Sequence, residues 1–98
     1  MQRRPFIAVH IVTNRRHGTL YIGVTSDLVT RIVQHIDGEV PGFTATHGLK
    51  RLVWYEQHES IVEAIQREKS LKRYKREWKL NLIERENPHW DDLFRQLH

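Results

Sequence analysis

Two short β-branched stretches constrain this chain more than any other feature. FIAVHIVT (residues 6–13) and TLYIGV (residues 19–24) are separated by NRRHG, five residues of turn chemistry. β-Branched and aromatic side chains suit a pleated, half-buried surface. The pair is therefore expected as a hairpin whose loop is longer than the tight two-residue kind. Alternation puts Phe6, Ala8, His10 and Val12 on one face of the first strand, and Tyr21 and Gly23 on one face of the second. A glycine inside a strand marks a place where backbone or ligand comes close.

A helix follows the hairpin directly. Ser26 can cap it, Asp27 lies in its first turn, and Leu28, Ile32, Val33 and Ile36 form its apolar stripe. Gly38 closes it. Residues 37–48 (DGEVPGFTATHG) hold three glycines and a proline and are expected as a loop. Leu49 to Gln57 is expected as a third strand. Ser60 and Glu63 fit a capping box that opens a second helix, with an inward stripe of Ile61, Ala64/Ile65, position 68 and Leu71. A third helical stretch surrounds Trp78, Leu82 and Ile83; periodicity leaves open whether it continues the second or turns near Tyr74. Asn87-Pro88 stops it, and residues 90–97 (WDDLFRQL) can close the chain as a short helix. The order ββαβααα implies an α+β fold: a small three-stranded antiparallel sheet flanked by helices.

Ninety-eight residues have one hydrophobic core to distribute, so a single domain over residues 1–98 is expected. The longest apolar run, FIAV, is too short to span a membrane. MQRRPFIAV lacks the long apolar core of a signal peptide. With no cysteine, thiol catalysis and thiolate metal sites are excluded, which fits a cytoplasmic location. The formal charge of +4 is unevenly spread. Residues 64–79 carry seven basic and two acidic side chains, a net of +5, leaving the remainder about neutral. Such a stripe suits a phosphate backbone, or else is a solvated face. Trp54, Tyr55, Tyr74 and Trp78 could stack on unpaired bases; for Trp54 and Trp78 a place in the core is expected.

Several polar residues sit awkwardly in these patterns. Arg31 and His35, four apart, share a helix face bordering the apolar stripe. Glu68 occupies an inward position, where a carboxylate is costly unless it meets a cation, a donor or a metal. A salt bridge to a core-facing arginine and a metal ligand both satisfy that requirement. His10 and Tyr21 lie on facing strands, as packing residues or as parts of a site.

These residues together resemble the GIY-YIG nuclease superfamily. Tyr21-Ile22-Gly23 is a YIG triplet after a first strand; Arg31 lies ten residues after Tyr21, and His35 four further on. Glu68, in AIQREKSLK, is similar in place to the family's metal-binding glutamate, and Asn87, in NPHW, to its late asparagine. LYIGVTSDL, GFTATHGLKRLVWYE, EAIQREKSLK and ENPHWDDLF resemble the short stand-alone bacterial members. The likeness runs from residue 6 to about residue 95. One departure stands out: His10 occupies the position of the first-motif tyrosine, proposed in the family as the base that activates water.

The resemblance implies a metal-dependent endonuclease that hydrolyses phosphodiester bonds in DNA by structure rather than sequence. Glu68 would hold one Mg²⁺ (or Mn²⁺), and Arg31 would fork onto phosphate oxygens. His10 or Tyr21 would orient or deprotonate the water, and His35 would relay a proton or hold the phosphate. If His10 is the base, activity is expected to fall below about pH 6. Asn87 would steady the Glu68 end. Lys69, Lys72, Arg73, Lys75, Arg76 and Lys79 would grip backbone away from the cut. The alternative within the same fold is a nucleic-acid-binding module that cuts poorly because histidine replaces tyrosine. A third reading is a small basic protein whose positive helix docks an acidic partner.

Overall fold

The computed structural model describes residues 6–39 and 42–97. The hairpin forms as β1 (Ala8–Thr13) and β2 (Leu20–Thr25), followed by α1 (Leu28–Ile36), α2 (Phe43–His47), β3 (Arg51–Gln57), α3 (Ile61–Lys72), α4 (Arg76–Glu86) and a closing 3-10 helix, Leu93–Leu97. The three strands make one antiparallel sheet in the order β2-β1-β3, so the most apolar strand takes the centre. The α+β class and the three-stranded sheet are as the sequence implied. No described helix is long and apolar enough to cross a membrane.

Core lies on both faces of the sheet. On one face Ala8, Val12 and Leu52 pack with Leu28 and Ile32 of α1. On the other, Val9, Ile11, Ile22, Val53 and Trp54 pack with Ala64 and Leu71 of α3 and Ile83 of α4. Strict alternation would set Tyr55 opposite Leu52, but the register slips between Ile11 and Val12. That bulge places one extra residue, Val53, on β3 and returns Tyr55 to the α1 face, level with His10.

Four expectations are corrected. The loop over residues 37–48 contains α2, bracketed by Gly42 at φ 84° and Gly48 at φ 63°, so its glycines bound a helical turn; residues 40 and 41 of that loop lie outside the described residues. Asp27, not Ser26, caps α1, its carboxylate accepting from the Thr30 amide and hydroxyl. The α1 stripe runs Leu28, Ile32, His35, while Val33 is exposed. Finally, Ile61 and Ile65 of α3 are exposed, so its inward stripe is Ala64, Glu68, Leu71.

The second and third helical stretches are separate helices joined by a turn at Tyr74. α3 ends at Lys72, and Lys75 adopts an extended conformation (φ −61°, ψ 153°) before α4 begins. Ser60 caps α3 through the Glu63 amide at 3.3 Å. The C-terminal segment seals the β3 edge: Asp92 accepts from the Leu52 amide, and Asn87 donates to the Val53 carbonyl. β2 remains the opposite edge of the sheet.

Candidate functional site

The strand register sets His10 of β1 directly across from Gly23 of β2 and Tyr55 of β3. The His10 ring lies over Gly23. A Cβ built at position 23 would stand 2.8 Å from His10 Cε1 and 3.0 Å from Tyr21 Cε1, closer than side chains pack. Glycine is thus what lets two rings share this part of the α1 face. His35 comes from α1 to complete the group. Its ring centre is 5.6 Å from that of His10 and 5.8 Å from that of Tyr21, with His10 and Tyr21 at 6.5 Å.

Both histidines are buried, His10 at 1% and His35 at 3% exposure, and all four of their ring nitrogens lack a hydrogen-bond partner among the described residues. Buried polar atoms are nearly always paired with protein or ordered water, so these four nitrogens are free to take hydrogen-bonding partners. Burial pushes the His10 pKa down to about 3, with further lowering from His35 and from Arg31. His35 is lowered too, first by burial and then by Arg31. Both rings are therefore neutral near pH 7. The expectation that His10 protonates near pH 6 is corrected: desolvation and a neighbouring cation hold it neutral well below that.

Arg31 lies on the same helix as His35, half-exposed, and no described carboxylate pairs with it. An unpaired guanidinium near two neutral imidazoles and a phenol is a group that can attract an anion and offer it hydrogen bonds.

Glu68 lies on α3, whose buried residues Ala64 and Leu71 pack against the other face of the sheet. It lies on the α3 stripe between the buried Ala64 and Leu71, its side chain 15% exposed. It pairs not with a core-facing arginine but with Lys72, one turn on, at 3.6 Å. No described hydrogen bond, ion pair or ring contact joins Glu68 to His10, Tyr21, Arg31 or His35. The described residues include no group of three or more His, Asp or Glu able to cage a metal ion.

Asn87 bonds to backbone at the β3 edge. Its amide donates to the carbonyls of Val53 (3.0 Å) and Asp91 (2.9 Å), and its Oδ1 accepts from the Asp91 amide (3.0 Å). Asn87 is buried, and these bonds tie the end of α4 to β3.

The basic residues divide across the α3–α4 turn rather than lining one helix. Lys69, Lys72, Arg73 and Lys75 are exposed, and Lys79 is half-buried. Arg76 is partly committed, its Nη2 donating to the carbonyls of His17 and Gly18 at 2.8 Å each, which fastens α4 to the β1–β2 turn. Tyr55 is the neighbour of His10 that simple alternation misses; a strand of β-branched and aromatic residues carries no mark of a bulge. Trp54 is in the core as expected, but Trp78 is not, being 49% exposed.

Residues 6–81 match the family described as the GIY-YIG catalytic domain. The chain is similar to a UPF0213 protein of Staphylococcus saprophyticus, 34% identical over 68 residues that cover 69% of this chain and 83% of that one. It is also similar to a UPF0213 protein of Staphylococcus aureus, 36% identical over 66 residues, 67% of this chain and 80% of the other. Among solved structures, the solution NMR structure of a UPF0213 protein from Bacillus halodurans is similar with a TM-score of 0.55 and 28% identity, covering 88% of this chain and 90% of that one.

Proposed function

This chain belongs to the GIY-YIG family, a family of nuclease type, and from that premise we propose that it is a metal-dependent endonuclease hydrolysing phosphodiester bonds in DNA, selective for structure rather than sequence. One observation carries the reading. Arg31, a permanent cation without a carboxylate partner among the described residues, stands beside the orphaned nitrogens of His10 and His35. Folding leaves such a group costly unless an anion with hydrogen-bonding oxygens completes it.

In this reading Arg31 forks onto non-bridging phosphate oxygens. Burial and, after it, the charge of Arg31 depress both imidazoles; a phosphate held there offsets the Arg31 part, so their affinity for a proton rises as the substrate arrives. His10 accepts a hydrogen bond from the attacking water, Tyr21 helps to orient it, and His35 holds the phosphate or passes on a proton. Lys69, Lys72, Arg73, Lys75 and Lys79 hold backbone away from the cut.

Glu68 suits one Mg²⁺ or Mn²⁺. It is a largely shielded carboxylate whose ion pair, to an exposed lysine at 3.6 Å, is loose enough to yield. A lone carboxylate matches an ion that keeps most of its waters. When bound, such an ion supplies charge neutralisation and a more acidic water. β2 is an edge strand, so the α1 and α3 faces meet along it, and DNA would lie there.

The low basicity of His10 favours a second reading, a module that binds DNA and cuts it slowly. Cleavage of branched, single-stranded and duplex DNA with Mg²⁺, Mn²⁺ or EDTA separates the two. The endonuclease reading expects metal-dependent cutting that disappears in Arg31→Ala and Glu68→Ala. Equal cutting by wild type and Glu68→Ala would remove the metal assignment, and tight binding with no cutting would support the module.

A further inference from the structure

The turn between α3 and α4 holds an aromatic pair that the proposed chemistry does not use. Trp78 is a large hydrophobic side chain left half-exposed. Tyr74 meets it edge-on, with ring centres 5.7 Å apart and planes at 86°. Tyr74 and Arg67 line one groove wall, and the Arg67 Nε donates to Glu56 at 3.0 Å. Glu56 of β3 thus anchors Arg67 beside Tyr74, whose ring packs on Trp78, and a platform with ordered neighbours loses little entropy on binding.

Two grooves flank this pair and share both rings. One, about 380 Å³, is lined also by Arg67 and Arg85; the other, about 410 Å³, is lined also by Lys69 and Arg73. Neither lining includes a carboxylate. Lys75 Nζ sits 5.5 Å from the centre of the Trp78 ring. Aromatic rings between two cationic grooves match a strand of unpaired nucleotides, whose bases stack and whose phosphates alternate with them. A duplex hides its base faces and could use only the charge.

We propose that the α3–α4 turn is a stacking site for unpaired bases of single-stranded DNA, with Trp78 as the platform, Tyr74 as its brace, and Lys69, Arg73 and Arg85 holding the flanking phosphates. This rests on the DNA reading above and extends it. Catalytic selectivity for structure would then arise here: a substrate with an unpaired arm is held by this turn while its phosphate is presented elsewhere.

The tryptophans provide the readout. Trp54 and Trp90 are buried at 2% and 0% exposure, so among the three only Trp78 can meet a base. Wild-type protein in EDTA is titrated with a twelve-residue thymidine oligonucleotide, following tryptophan emission, with fluorescence anisotropy of a labelled oligonucleotide in parallel. The expected result is saturable quenching that weakens with salt, and about a tenfold loss of affinity in Trp78→Ala. Val62→Ala, at another exposed apolar position, is expected to bind as wild type. The joint change Lys69→Ala and Arg73→Ala should weaken binding while leaving residual quenching at saturation.

Anisotropy showing equal affinity in wild type and Trp78→Ala would overturn the proposal, as would duplex DNA that quenches Trp78 as strongly as the single-stranded oligonucleotide does. Equal quenching by a twelve-residue polyglutamate would reassign the turn to an acidic protein, and tighter binding of oligouridine would reassign it to RNA. The nuclease reading fails separately, through cleavage that does not depend on Arg31 or Glu68.

Discussion

His10 and Gly23 face each other across the β1–β2 ladder, and the imidazole fills the volume that any side chain at position 23 would need. The glycine therefore serves the histidine: a side chain at position 23 would require the ring to move.

Gly23→Ala puts a methyl group 2.8 to 3.0 Å from His10 and Tyr21. Neighbouring rings must leave their positions, and overpacking of this kind costs about 1–3 kcal/mol. Urea denaturation should show that loss, with cleavage falling as well. Adding His10→Ala should recover part of the stability and none of the activity; a wild-type denaturation midpoint in Gly23→Ala would contradict the close approach.

Stability should fall in mild acid. The His10 pKa is lowered from 6.5 to about 3 on folding, so between those values the unfolded chain binds the extra proton. Its stabilising contribution is complete above about pH 6.5 and is lost as pH falls towards 3. Each pH unit within that window removes about 1.4 kcal/mol, so His10 alone accounts for about 2 kcal/mol between about pH 7 and about pH 5. His35 acts in the same direction. Urea midpoints at the two pH values measure the effect, and His10→Phe should flatten it.

Arg31→Ala should reduce cleavage by about a hundredfold or more, the usual scale for a charge aimed at a developing transition state. Arg31→Lys keeps the charge without the planar fork and should recover only part of the rate. Stability should hardly change, since no described ion pair is broken. Cleavage rates at saturating DNA check this, and an active Arg31→Ala would empty the anion pocket of its function.

Asn87→Ala should act on folding, not on chemistry. It leaves the Val53 and Asp91 groups short of partners in a largely buried setting, at about 1–3 kcal/mol for each unsatisfied group. The melting temperature should drop while kcat per folded molecule stays at the wild-type value. A normal melting temperature with lost kcat would return Asn87 to the site.

Much of the molecule is legible in residue order because its signals are local. β-Branched runs around NRRHG specify the hairpin, Ser60 and Glu63 mark the start of α3, and Gly23 announces a close approach that the His10 ring makes. The pairing of Arg31 with His35 on one helix face is legible too. Helical spacing does not say which neighbour turns inward: His35 takes the position that Val33, the more apolar residue, was expected to hold. The bulge at Val53 and the turn at Lys75 are equally silent, each depending on what the strand or helix must pack against.

Residue order by itself determined the α+β class, the three strands and the side chains on offer, since backbone propensity and side-chain period act over a few residues. Only the tertiary structure decided which of them share an environment. It drew the rings of His10, Tyr21 and His35 together with Arg31 near them, set Glu68 on a helix whose buried residues pack the other face of the sheet, bonded Asn87 to backbone, and left Trp78 half-exposed. Burial and the electrostatics that follow from it belong to contacts between distant segments, and no short stretch of chain contains them.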